Sequence, residues 1–124
     1  MTNAQKTQAL AKYRRLQEHY SQLCAAVRDH SERHRQALEI VWNARARLDL
    51  LTINRGRSAV YRTGNDAERY VIEQQRVVDD AQAEAERLRL EGEALRDRAN
   101  EASAVAVKCR DHLRGLDIPW QELE

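Results

Sequence analysis

The stretch YRRLQEHYSQLCAAVRDHSERHRQALEIVWNARARLDLL, Tyr13 to Leu51, decides the fold. Stepping three and four residues alternately from Tyr13 lands on Leu16, Tyr20, Leu23, Val27, His30, His34, Ala37, Val41, Ala44, Leu48 and Leu51. None of these positions carries a permanent charge, although Asp, Glu, Lys and Arg make up 33% of the chain. A three-four alternation averages 3.5 residues, which keeps one narrow stripe of a helix turned toward a partner helix. A second seam runs Ala67, Val71, Gln74, Val78, Ala81, Ala85, Leu88, Gly92, Leu95, Ala99, Ala102, Ala106, Cys109, Leu113 and Leu116. It is rich in small residues where the first seam is bulky. Tyr13 and Tyr20 are expected to lie over Ala99, Ala102 and Ala106.

These seams predict an all-α fold of two long helices in an antiparallel coiled-coil hairpin, treated as one domain over 1–124. Helix 1 is expected over about 3–54, a tip loop over about 55–65, helix 2 over about 66–114 and an apolar tail over 116–124. Thr2 and Gln5 have the spacing of a capping box, in which hydroxyl and amide each satisfy a backbone N–H of the first turn. Gly56 suits a helix C-terminus. Asn65, followed by Asp66 and Glu68, suits a helix start, with carboxylates at the positive end of the dipole. Pro119 forbids continuation of helix 2.

Charges nearly cancel, at a net +1, so no global field demands a nucleic acid or a membrane. Two cysteines, Cys24 and Cys109, are too few for a disulfide scaffold. No N-terminal pattern reads as a signal peptide, and no apolar run approaches the roughly 20 residues that span a bilayer. A cytoplasmic protein with no membrane partner is the expectation.

A thin hairpin whose seam holds this much alanine gains little from its own core, since ordering each residue costs roughly 1.5 kcal/mol. Extra burial is therefore expected from an apolar patch of Leu38, Ile40, Trp42, Tyr70, Ile72 and Val77, groups that fall at one height in the hairpin. Such a patch marks an interface. Self-association into a homodimeric four-helix bundle is the first expectation, and a different protein partner the second. The tail adds Trp120, a residue type enriched at binding hot spots.

The tip is basic: Arg45, Arg47, Arg55, Arg57 and Arg62 surround Tyr61, with Asp49 as the lone acid. Arg forks suit carboxylate and phosphate, and an aromatic ring can stack on a base. The readings are a solvated loop, an acidic protein partner or, less favoured, a nucleic acid. Conversely, Asp79, Asp80, Glu84, Glu86, Glu91 and Glu93 make helix 2 acidic; the readings are a solvated face or pairing with Arg28, Arg33 and Arg35 of the same hairpin or of a second copy.

His30 and His34 stand four apart, as helical zinc ligands do. The ligand set is incomplete, so the expectation is two packed histidines, each bonded to a nearby carboxylate, with no metal and no cofactor. No phosphate-cradling loop or nucleophile elbow is present, and a hairpin offers no concavity for a small-molecule substrate. The sequence therefore predicts a non-enzymatic interaction module (an adaptor, assembly factor or inhibitor) that binds another protein. The alternative is a nucleic-acid-binding hairpin that uses its Arg-rich tip. Long helical hairpins of this size occur among bacterial secretion-machine assembly factors and small phage proteins, a likeness of architecture that no motif here narrows.

Overall fold

The computed structural model describes residues 2–58, 64–116 and 118, with side chains at 2–52, 68–116 and 118. The described residues form two helices, α1 (Asn3–Ser58) and α2 (Gly64–Gly115), and no strand occurs among them. They pack as an antiparallel hairpin, since His30 lies against Leu88 while Ala44, further along α1, lies against Gln74, earlier in α2.

Both ends of the hairpin tip differ from expectation. The α1 backbone continues through Gly56 to Ser58, and α2 begins at Gly64, so Asn65 lies inside the first turn. A glycine inside a helix costs only about 1 kcal/mol relative to alanine, and Arg55 and Arg57 beside it are good helix formers. Other ends follow the sequence. The Thr2 N–H donates to Gln5 Oε1 at 3.0 Å and the Gln5 N–H donates to Thr2 Oγ1 at 3.2 Å, the reciprocal pair of a capping box. Thr2→Ala is expected to lose about 0.5–2 kcal/mol, read from the urea midpoint at unchanged slope. His112 and Arg114 sit in the last turn of α2, where cations meet the negative end of the dipole. The Leu116 N–H closes that end on the Leu113 carbonyl at 3.1 Å.

The chain divides into two compact units, one of Met1–Asp29 with Gly92–Glu124 and one of His30–Glu91. In the first, Tyr13, Leu113 and Ile118 form a buried cluster, flanked by Ala9, Leu10, Cys109 and Leu116. Tyr13 thus packs beyond the alanines expected beneath it, because Leu113 and the returning Ile118 offer it more apolar surface. Its hydroxyl accepts from Gln17 Nε2 at 3.0 Å. Tyr20 does reach the alanine-rich stretch, where its hydroxyl meets Ser103; a hydrogen bond with Cys24 is the main cause that holds its pKa above the usual tyrosine value. Ala99, Ala102 and Ala106 are buried. Ile118 shows that the start of the tail is docked, while Trp120 lies outside the described residues. Cys24 and Cys109 are free thiols, both half-buried.

The second unit has a core of Ala37, Val41, Ala85 and Leu88, with Ala81 against it. Val78 and Ala44 are also buried. Gln74, the polar member of its seam, donates from Nε2 to the Ala44 carbonyl at 3.4 Å.

Candidate interaction surface

Large exposed apolar side chains are unevenly shared between the units. Leu38, Ile40, Trp42, Leu50, Tyr70, Ile72, Val77 and Leu90 lie in the His30–Glu91 unit, against Tyr20, Val105 and Val107 in the other. Trp42 is the extreme case, at 77% exposure. All six described members of the expected patch are exposed.

They do not form one patch, and the angular pitch of the helix says why. Each residue turns the helix by about 100°, so Leu38 and Trp42, four apart, share a face, whereas Ile40 between them points about 200° away. Leu38 and Trp42 line a shallow groove with Arg35, Glu39 and Asn43. On α2, Tyr70, Val77 and Glu84 stand seven apart on one stripe. Ile72 is about 200° from Tyr70 and, five turns from Leu90, shares the outer face with it.

Contacts across the seam assign these stripes to flanks of the unit. Glu84 lies close enough to Arg33 to be stabilised by its charge, and Arg33 is seven residues before Ile40. Ile40, Val77 and Tyr70 therefore occupy one flank. Gln82, with its amide oxygen turned to Arg45, accepts from Arg45 Nε at 3.0 Å, and Arg45 is seven residues after Leu38. Leu38 and Trp42 therefore occupy the opposite flank. The six share a height along the hairpin, and the 100° turn per residue separates them by face.

The tip cluster is only partly described. Arg45 and Arg47 are exposed and, two residues apart, point to different sides, while the side chains of Arg55, Arg57, Tyr61 and Arg62 lie outside the described residues.

Charges on the helix surfaces are organised mainly within each helix. Arg35 binds Glu32 through Nε at 3.0 Å and Nη2 at 2.6 Å, and reaches Glu39 with Nη1. Arg87 repeats that arrangement with Glu84 and Glu91 at the same spacing, and Arg89 grips Glu86 at 2.6 Å. Hydrogen bonds from these guanidiniums hold the Glu32, Glu84 and Glu86 carboxyls below the usual range. Of the arginines expected to reach the acidic face of α2, Arg33 does so toward Glu84, while Arg35 is taken up on its own helix.

His30 is buried, and its Nε2–H donates to the Leu88 carbonyl at 2.6 Å, with Glu91 Oε2 at 3.9 Å. Its main acceptor is thus a backbone carbonyl rather than the carboxylate expected. His34 is half-buried near Glu86. Among the described residues no three His, Cys, Asp or Glu side chains gather as a metal site. The first unit carries a groove that sequence reasoning missed, lined by Ala9, Lys12 and Leu16 of α1 and Val105, Lys108 and His112 of α2.

Set against protein-family models, curated proteins and solved structures, the chain matches none. No described helix is long and apolar enough to cross a membrane.

Proposed function

We propose that this chain is a non-enzymatic protein-interaction module, an adaptor, assembly factor or inhibitor that works by binding another protein in the cytoplasm. The observation that carries the reading is the concentration of large exposed apolar side chains in the His30–Glu91 unit. Ile40, at 60% exposure, stands level with Val77 on one flank, and Tyr70 lies on the same stripe toward the tip. Large apolar side chains left exposed along one flank support a binding surface there. The rim supplies Arg33 and Glu84, charges of both signs that set register. The two free thiols suit a reducing compartment.

The test is capture from an extract, with and without nuclease, by the intact chain and by an Ile40→Glu/Val77→Lys variant. Both substitutions lie on the surface, where such changes stay within about 0.5 kcal/mol of the parent, so far-UV circular dichroism and melting should be unchanged. The expected result is a partner protein retained by the parent and reduced at least about tenfold by the variant, a difference of about 1.4 kcal/mol in binding. A set of partners indifferent to the variant and removed by nuclease would replace this reading with the nucleic-acid one.

A further inference from the structure

We infer that the Leu38–Trp42 flank of α1 is covered by a second copy of this chain, the two α1 helices packing antiparallel on a two-fold axis through Trp42. The inference rests on the protein-interaction reading above and names the occupant of one of its two flanks.

The order of charges along this stripe carries the argument. Arg35 lies seven residues before Trp42 and Asp49 seven after; Glu39 lies three before and Arg45 three after. Antiparallel helices related by a two-fold axis set equal offsets before and after the axis at the same level. Arg35 then stands level with Asp49 of the second copy, and Glu39 with its Arg45. Symmetry repeats both pairings, giving four opposite-charge juxtapositions. Size is matched as well: Leu38, four before the axis, meets Ala46, four after it. Trp42, exposed at 77% in the single chain, meets its own mate at the centre.

Other alignments lose this complementarity. A parallel two-fold pairing sets Arg35 on Arg35, Glu39 on Glu39 and Asp49 on Asp49. An antiparallel axis one turn earlier, through Leu38, sets Arg35 against Val41, a seam residue turned into the hairpin core. Of these three alignments, the axis at Trp42 alone opposes unlike charges at Arg35, Glu39, Arg45 and Asp49.

The pairs present in the single chain do not oppose this arrangement. Arg35 keeps Glu32 when Glu39 turns to the second copy, and Arg45 keeps its Nη1 donors beyond the Nε and Nη2 engaged by Gln82. Exposed ion pairs are worth little whichever partner they choose. Burial of Trp42 and Leu38 therefore supplies the affinity, and the charges select the register.

The experiment is absolute mass by light scattering behind size exclusion, in reducing buffer and over a concentration series. The intact chain is expected at twice the single-chain mass. Trp42→Ala should weaken the dimer, and Asp49→Arg, which sets Arg35 against a like charge, should raise its dissociation constant at least about tenfold. The double exchange Arg35→Asp/Asp49→Arg restores opposite charges and should recover the parent dimer, with helicity unchanged in every variant. A single-chain mass for the parent at all concentrations overturns the inference, as does a dimer that Asp49→Arg leaves intact or that the double exchange fails to recover. None of these outcomes bears on partner capture through Ile40 and Val77, which tests the functional reading separately.

Discussion

Leu113→Ala will lower the stability of this protein by about 2–5 kcal/mol, the range for truncating a leucine inside a core that cannot fully collapse around the gap. Leu113 is 1% exposed, the largest side chain so completely covered among the described residues. Its neighbours come from three directions: Tyr13 from α1, Cys109 from its own helix, and Leu116 and Ile118 from the chain beyond α2. Tyr13 is the wrong shape to follow a retreating side chain, because its hydroxyl is tied to Gln17. Native domains are more stable than their unfolded chains by only about 5–15 kcal/mol, so this single truncation consumes a large share. The control is Leu90→Ala, which removes the same atoms from a position 52% exposed on the outer face of α2; it should move the urea midpoint by no more than about 0.5 kcal/mol equivalent. Equal losses in the two variants would show that the Tyr13–Leu113–Ile118 cluster is not a core.

Much of this was legible in the sequence because a seam is a one-dimensional signal. Of the twelve positions read on α1, only Tyr20 is exposed, and every described position of the α2 seam is buried or half-buried. A 3.5-residue alternation forces that outcome whatever the partner helix. The capping box was legible for the same reason, since two side chains three residues apart suffice to define it. Relations between the two helices were harder. The height of a residue follows from counting back from the tip, but its flank needs an angle as well, and the apolar patch was assembled without one. Leu38 and Ile40 look adjacent in sequence and point to opposite sides. The acceptor for His30 was hidden for another reason: the Leu88 carbonyl is a backbone group, and every residue offers one. Tyr13 meets Ile118 because the chain beyond Gly115 returns to the hairpin, a feature no helical period encodes.

Val78→Asp should destabilise the second unit by roughly 3–6 kcal/mol near neutral pH, combining the lost burial of a valine with an unsatisfied carboxyl. Val78 is 2% exposed on the α2 seam. One turn away on its own helix stand Gln74, Gln75, Ala81 and Gln82, none of them cationic. Across the seam, Arg45 is engaged by Gln82. A carboxylate forced here has its folded pKa raised by desolvation. The charge penalty is therefore complete above that folded pKa and disappears as the pH falls to the unfolded value. The parent protein has the opposite slope. Glu32, Glu84 and Glu86 have folded pKa values lowered by their arginines, so the stability they contribute is present above the unfolded pKa and is lost as the pH falls through the folded one. These glutamates are exposed, which keeps that loss small. The gap between parent and variant should thus narrow steadily from about pH 7 to about pH 4, measured by urea unfolding at each pH. Val78→Asn buries a comparable polar group that does not titrate, and its deficit should stay constant over the same interval. If the aspartate and asparagine variants track each other at every pH, the position is open to water, and the apolar layer around Val78 does not insulate the hairpin as its burial implies.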